Sequence, residues 1–531
     1  MTNTSAVDPV LAQRCKRADS INLENLNKIL SDNKDTLFGR EHGLADIKSA
    51  DEYRRRVCIY EYGGLEHYIR RMRNGEDNIL TSYNVVSYCM SSGTTGDVKY
   101  IPVTDETLIR HTGCYENYKN SVLRVPGTKR LMVNSFRTDL EKPIEQELLF
   151  TEIYYRHLYE NGYINTDEYI GGKTVMFITE NENVMFAKLW EALLNENVIS
   201  IESVFLYEHL VLLSMLESSW ETITGSIRSR SFPDDIQLSQ RIKDYLLSLP
   251  VDEQRLRYVE SECKKGFDNI VGRLWKKMKL MSGISNRSYL TEEEALKRYA
   301  PDIPRHFMIY GSSECHIAAP VRLNEYGYVL FPQLAFFEFL PIGAKDDETV
   351  LPHEVKVGEL YEPIFTNFTG LYRYRLRDVV RITGFVDKSP VMEFVRRLGQ
   401  AINIAGEKFD QTQLENGVYK LKENGIHIEN YCFGACMETM PGKYAAAVQL
   451  SSDSRKITDN ELARLLDEKL MQVNNDYKDL RGLGEIDMPF VIQLDKAKYA
   501  DFTERMGLSH KNGHNKAKHI YYGEVILEKW H

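Results

Sequence analysis

Five short segments of this chain carry residue types whose spacing suits phosphate and nucleotide chemistry. The first is Tyr88-Cys-Met-Ser-Ser-Gly-Thr-Thr-Gly-Asp-Val-Lys99. Gly93 and Gly96 let a backbone turn tightly and approach a ligand. The hydroxyls of Ser91, Ser92, Thr94 and Thr95, with nearby backbone N–H groups, can wrap an anionic phosphate, and Lys99 adds a point charge. The spacing is not that of a Walker loop, which needs Gly-Lys-Ser/Thr four residues after a first glycine. Ser/Thr/Gly clusters also mark ordinary loops, so these residues need company before they mean anything.

That company comes later in the chain. Ile309-Tyr-Gly-Ser-Ser-Glu314 reads as a strand end, a turn, two hydroxyls and a carboxylate. Tyr310 can lie against a planar base, Gly311 permits the turn, and Ser312 or Ser313 can donate to a phosphate. Glu314 can hold magnesium, which favours oxygen ligands. In Gly370-Leu-Tyr-Arg-Tyr-Arg-Leu-Arg-Asp378 a carboxylate opens a strand, where it can accept both hydroxyls of a ribose. The plainer reading there is a surface ion pair between Asp378 and Arg373, Arg375 or Arg377, worth little. Last come two lysine-bearing segments, Asn403-Ile-Ala-Gly-Glu-Lys408 and Gly513-His-Asn-Lys516.

The elements that must position these residues sit in a long, ordinary chain. It has 531 residues, 43% hydrophobic and 27% charged, enough for a large core and at least two domains. A net charge of −10 with no basic block argues against nucleic acid or an anionic membrane as the main partner, leaving small molecules. The opening residues lack the basic-then-apolar pattern of a secretory leader. The most apolar window, Val204 to Leu216, is interrupted by Glu208 and His209 and is short for a membrane span. Eight scattered cysteines fit a reducing, cytoplasmic setting, with Cys432 and Cys436 as core residues. His510, His514 and His519 cluster near the end, but Gly513 and the want of a Cys or acidic partner argue against zinc.

Residues 1–80 read as polar helices. Thr104-Asp-Glu-Thr starts a helix; Leu131-Met-Val and Val175-Met-Phe-Ile are strand candidates. Phe186, Leu189, Trp190, Leu193 and Leu194 share one helical face. Val204 to Trp220 reads as a deeply buried helix, and residues 228–270 as a surface helical pair. Strands are predicted at Met308–Tyr310, Tyr328–Phe331, Phe336–Leu340 and Leu360–Phe365, with Pro363 implying an edge or a bulge. Val379 to Phe385 closes this series. Beyond residue 400, strands Tyr444–Leu450 and Phe490–Leu494 flank a helix capped by Thr458 and Glu461, with Ile457 and Leu462 as a staple. That is the pattern of a small α+β domain after a larger one.

Taken in order, these motifs resemble the acyl-adenylate-forming superfamily of luciferase-like and ligase enzymes. Gly370–Arg375, Asp378-Val-Val-Arg-Ile-Thr-Gly-Phe385, Tyr310–Cys315, Phe336–Pro341 and Leu274-Trp-Lys-Lys-Met-Lys-Leu280 narrow the likeness. They resemble the plant-type acyl acid amido synthetases, the Gretchen Hagen three family, over roughly residue 85 to the C-terminus. The resemblance implies an α/β fold: a large N-terminal adenylation domain (1–396) with sheets and a barrel-like element, a hinge at 396–400, and a C-terminal α+β lid (400–531). It implies a ligase using ATP and Mg2+ that activates a carboxylic acid as an acyl-adenylate and passes it to an amine such as that of an amino acid, releasing AMP. Ser91, Ser92, Thr94 and Thr95 would hold the triphosphate, Tyr310 the adenine, Asp378 the ribose and Glu314 the metal. Lys408 and Lys516 would approach the phosphates or acyl-adenylate, and Arg137 and His316 would face the acyl group. The chain departs from the family where Arg377 replaces a glycine and where Lys516-Ala-Lys-His replaces Lys-x-Pro-Arg. An acyl-CoA synthetase and a nucleotide-binding regulatory protein without turnover are the alternatives.

Overall fold

The computed structural model describes residues 7, 9–92, 98–112, 123–145, 147–180, 182–285, 296–398, 402–409, 411–506, 520–521 and 525–530, with the backbone alone at Ser91, Ser92, Tyr207, Arg396, Arg397, Gln411, Thr412, Glu415 and Lys529. The chain divides into two compact units, one of residues 1–91 and 99–398, the other containing residues 399–531.

The first unit opens with short helices, as the interleaved charges and leucines of residues 1–80 predict. Helix Ala18–Asn33 buries Leu26, Ile29 and Leu30 and carries two inward asparagines. Asn22 donates to the Phe337 carbonyl at 3.0 Å and accepts from its N–H at 2.7 Å. Asn25 donates to the carbonyls of Pro332 and Ala335 at 2.8 and 2.9 Å. An amide side chain thus docks the helix on sheet backbone that would otherwise be buried without partners.

Three sheets follow. Strands β1 (Val85–Ser92), β2 (Val98–Thr104) and β5 (Glu147–Leu148) form one, in the order β2-β1-β5, with Cys89 opposite Leu148. Strands β3 (Lys129–Met132), β7 (Val198–Phe205), β8 (Leu280–Ile284) and β9 (Arg305–His306) form a parallel sheet, while β4 (Phe136–Arg137) pairs with β6 (Phe177–Ile178). Here two sequence expectations need correction. Val175 and Met176 end a short helix, Gly172–Met176, and only Phe177 and Ile178 are strand. Val204 and Phe205 finish β7, and the helix starts at Tyr207 and runs to Ser229, with one face buried and Ser218, Glu221 and Thr222 exposed rather than buried all round. A buried parallel strand is as continuously apolar as the helix that follows it, so the junction leaves no trace in hydropathy.

The third sheet carries the candidate chemistry. It comprises β10 (Tyr310–Gly311), β11 (His316–Pro320), β12 (Tyr328–Leu330), β13 (Ala335–Pro341), β14 (Leu360–Asn367), β15 (Tyr374–Arg375), β16 (Asp378–Val386) and β17 (Ser389–Arg397). Their order is β10-β11-β12-β17-β16-β14-β13, with β15 alongside β14, and every pairing is antiparallel. Met308 and Ile309 are buried but precede β10 rather than forming it. The series does not close at Phe385, because β17 returns and inserts between β12 and β16. Pro363 is neither at an edge nor in a bulge. It faces Phe339 of β13 on one side; on the other, β16 pairs with Leu360 and Tyr361 and β15 with Ile364 and Phe365. The proline falls where one neighbour gives way to the next, so its missing N–H costs the ladder nothing.

The second unit holds strands β18 (Ile428–Cys436), β19 (Lys443–Leu450), β20 (Phe490–Gln493) and β21 (Ile520–Tyr521), in the order β20-β19-β18-β21. Helix Asp459–Val473 carries the expected capping box, with Glu461 N–H on Thr458 Oγ1 and Thr458 N–H on the Glu461 carboxylate. Leu462, Leu466 and Leu470 pack with Phe433, Tyr444 and Val448. Cys432 and Cys436 are buried against Phe502 and Trp530.

Candidate active site

The turn from β10 to β11 is built before it binds anything. A β-carbon on Gly311 would lie 2.8 Å from the His316 backbone, so only glycine allows this approach. Ser312 N–H donates to the Cys315 carbonyl at 2.9 Å, and the Ser312 hydroxyl accepts from Glu314 N–H at 3.3 Å. Ser313 reaches Cys89 on β1. The two serines therefore shape the turn and tie it to the strand leading into the Ser/Thr/Gly segment. Burial pushes the Cys89 thiol up to about 12, which removes it from nucleophilic chemistry.

Two tyrosine hydroxyls join this turn to the segment before β16. Tyr310 donates to the Asp378 carboxylate at 3.1 Å, and Tyr374 donates to Glu314 Oε1 at 3.3 Å. Asn367 on β14 adds a 2.8 Å bond to the Glu314 carbonyl. Tyr310, Glu314, Tyr374 and Asp378 are all buried. Residues 60 and 68 positions apart in sequence thus share one constellation of two carboxylates and two aromatic hydroxyls. Burial, with Glu314 next to it, holds the Tyr374 phenol well above its usual range, so it stays a donor.

The arginines of this segment do not pair with Asp378. Arg373 is fully buried and forks onto Glu338 at 3.1 Å through both Nε and Nη2, while also donating to Arg54, Val57 and Asp346 carbonyls and to the Thr349 hydroxyl. Arg375 donates to Glu362 at 2.8 Å. Arg377 pairs with Glu61 at 2.6 Å on the surface. Its φ is +64°, in the left-handed region that favours glycine and is costly for a residue with a β-carbon. The carbonyl it turns outward accepts Leu398 N–H at 2.7 Å.

The remaining predicted residues are placed as follows. His316 lies in an aromatic cluster, its ring 4.7 Å from His111, 5.0 Å from Phe150 and 6.3 Å from Tyr154. Burial, followed by the neighbouring His111, holds His316 well below the usual imidazole range, and burial takes His111 down to about 4. Both rings are neutral at pH 7. Arg137 is not brought into this cluster: its side chain is exposed at the end of β4, and its N–H donates to Glu152 at 3.1 Å. The Lys99 ammonium stands 5.7 Å from the Tyr62 ring. Lys408 lies in the second unit with φ +47°, partly buried. Gly93, Thr94, Thr95, Gly96, Lys516 and the three clustered histidines lie outside the described residues, as do the side chains of Ser91 and Ser92.

Sequence reading missed Tyr374, Asn367 and Cys89. Tyr374 was inside a quoted motif, but nothing in Tyr-Arg-Tyr-Arg says which aromatic turns to Glu314. Among the described residues no three His, Cys, Asp or Glu side chains gather as a metal site. Glu314 as a lone hard-oxygen donor fits magnesium, which commonly takes one or two carboxylates and completes its shell with substrate phosphates and water.

The fold is shared with a solved acyl acid amido synthetase and a solved CoA ligase. It matches a GH3.15 acyl acid amido synthetase with a TM-score of 0.65 at 21% identity, covering 100% of this chain and 96% of that one. A 2-hydroxyisobutyryl-CoA ligase solved with its acyl-AMP and CoA matches with a TM-score of 0.53 at 10% identity, over 97% and 90%. In sequence, residues 10–305, 328–397 and 412–521 match the GH3 family N-terminal, central and C-terminal domains, and the chain belongs to the GH3 family. The indole-3-acetic acid-amido synthetase GH3.3 of Arabidopsis thaliana is 25% identical over 95% of this chain and 89% of its own length. GH3.8 of Oryza sativa subsp. indica, of the same description, is 28% identical over 80% and 74%. Among the described residues no helix is long and apolar enough to cross a membrane.

Proposed function

We propose that this protein is an ATP-dependent acid–amine ligase that makes an amide through an acyl-adenylate. The observation that carries the reading is the pair of hydroxyl–carboxylate bonds, Tyr310 to Asp378 and Tyr374 to Glu314, which assembles separated motifs into one site. Asp378 accepts the ribose hydroxyls, and the Tyr310 ring packs on the adenine while its hydroxyl keeps the carboxylate aimed. Glu314 would hold magnesium, which when bound neutralises phosphate charge. The hydroxyls of Ser91, Ser92, Thr94 and Thr95 and the ammoniums of Lys99, Lys408 and Lys516 grip the phosphates.

In the first half-reaction a carboxylate oxygen of the acid bonds to the ATP α-phosphorus, and the bond to the pyrophosphate bridging oxygen breaks. In the second, an amine nitrogen bonds to the acyl carbon, AMP leaves with the electron pair, and the amine proton passes to solvent or a base. Catalysis of the first half is mostly charge stabilisation by positioned donors. The acyl group lies toward His316, whose neutral ring adds no charge. Residues 1–396 would form the adenylation domain and 400–531 a lid joined at 396–400, in a cytoplasmic enzyme.

The amide reading is supported by the names of its relatives; a thioester-forming reading is favoured by the likeness to the CoA ligase. The experiment that separates them offers ATP, magnesium, a panel of carboxylic acids, amino acids and CoA together, and identifies products by mass. We expect an acyl-amino acid and AMP. An acyl-CoA product, with no amide, overturns the reading.

A further inference from the structure

The loop that presents Lys408 is anchored more heavily than a connector needs to be. Asn403 Oδ1 accepts from Gly406 N–H at 2.9 Å and from Lys408 N–H at 3.3 Å. Asn474, which caps the helix Asn475–Leu483 by accepting from Tyr477 N–H at 2.9 Å, donates to the Glu407 carbonyl at 2.9 Å and toward the Lys408 carbonyl at 3.5 Å. The Glu407 side chain is 1% exposed. Its carboxylate accepts Ile404 N–H at 2.7 Å, Ala405 N–H at 2.8 Å and the Tyr444 hydroxyl. Phe409 is fully buried, its ring 5.2 Å from Tyr444 and 5.1 Å from Tyr477.

The residues on both sides of Lys408 therefore turn into the core of the second unit, and the lysine is the partly exposed residue between them. At φ +47° it occupies a left-handed conformation that costs a residue with a β-carbon about 1 kcal/mol or more. Lysine lacks the short polar side chain with which asparagine or aspartate offsets that cost. Such strain persists only where the surroundings over-determine it, and it concentrates at functional sites. Burial pushes the Glu407 carboxyl up, and the Tyr444 hydroxyl and the loop amides pull it back. A carboxylate held inside by hydrogen bonds is a costly way to close a turn, and a glutamine there would offer an NH2 to one of the two converging N–H groups.

We propose that Glu407, with Tyr444 and Asn474, is a positioning device that fixes the left-handed backbone at Lys408 and so the direction in which its ammonium leaves the loop. This rests on the reading of Lys408 as a residue that approaches the phosphates or the acyl-adenylate. A displacement of about 1 Å in a positioned group can cost about 100-fold in rate, so the device is worth its burial.

The test is a double-mutant cycle on the full chain, following amide synthesis. Glu407→Gln is expected to lower kcat about tenfold or more while KM for ATP moves less than about twofold. In the Lys408→Ala background the same change should lower kcat less than about twofold, because nothing is left to aim. Tyr444→Phe should follow the same pattern with a smaller loss, and it carries the cycle if Glu407→Gln does not fold. An equal loss in both backgrounds would mean general loosening of the unit and would overturn the inference. Wild-type rates in Lys408→Ala alone would instead remove the reading of Lys408 on which the inference rests, a result distinct from the first.

Discussion

Glu338 and Asp378 are both buried carboxylates on the same antiparallel sheet, and they are held in opposite ways. Glu338 faces a buried guanidinium that spends its donors on one carboxylate, three carbonyls and a hydroxyl, with Thr349 donating to the same carboxylate at 2.6 Å. Asp378 starts its strand and receives a tyrosine hydroxyl. The first arrangement ties residues 54–57, 346–349 and 373 into one frame. The second sets a buried carboxylate at the start of a strand, with a tyrosine hydroxyl donating to it. The same nine-residue segment, Gly370–Asp378, takes part in both, through Arg373 in the first and Asp378 in the second. Gly370 belongs to the scaffold: at φ +91° its missing β-carbon leaves room for Leu80, which would be 2.6 Å away.

The sharpest way to break this contrast is to remove the guanidinium. Arg373→Met strands Glu338 in the interior and should cost about 3–5 kcal/mol of stability, read as a shift of the urea midpoint. Replacing both partners by apolar residues should recover most of it. Asp378→Asn should do the reverse, leaving the midpoint nearly unchanged while carboxylate-dependent ATP–pyrophosphate exchange falls about 100-fold. Tyr310→Phe removes only the orienting hydroxyl, so a loss of about tenfold in kcat/KM for ATP is expected, with the ring still in place.

A smaller effect should appear at Arg377. Arg377→Gly relieves a left-handed arginine and gives up a half-exposed ion pair, so thermal unfolding should show stabilisation of about 1 kcal/mol or less. Acid should weaken the first unit through its buried histidines. Burial lowers His111 to about 4 and His209 to about 3, so between those values and about 6.5 the unfolded chain binds more protons. Stability is then fully present above about pH 6.5 and is lost as pH falls; a melting temperature unchanged between pH 7 and 5 would contradict this.

Part of the candidate constellation was legible: Tyr310, Glu314 and Asp378 stood in motifs of rare residue combination, and the fold brings them together, whereas the hydroxyl–glycine run from Gly93 to Gly96 lies outside the described residues. The partners were not, because they depend on register. Nothing in Tyr-Arg-Tyr-Arg says that Arg373 enters the interior while Tyr374 turns to Glu314, since the left-handed φ of +41° at Arg373 breaks simple alternation. Pro363 was misread for the same reason: local sequence announces a missing donor, but only the topology shows that the neighbouring strand changes at that point. The buried position of Glu407 is not legible either, because its partner Tyr444 lies 37 positions away. The capping box at Thr458 and Glu461 was read correctly because it is closed within one turn.

The most direct test of the account is a crystal structure of the protein with AMP bound. The account predicts ribose hydroxyls within about 3.2 Å of the Asp378 carboxylate and the adenine against the Tyr310 ring. AMP bound elsewhere, or a ribose that does not meet Asp378, would contradict it.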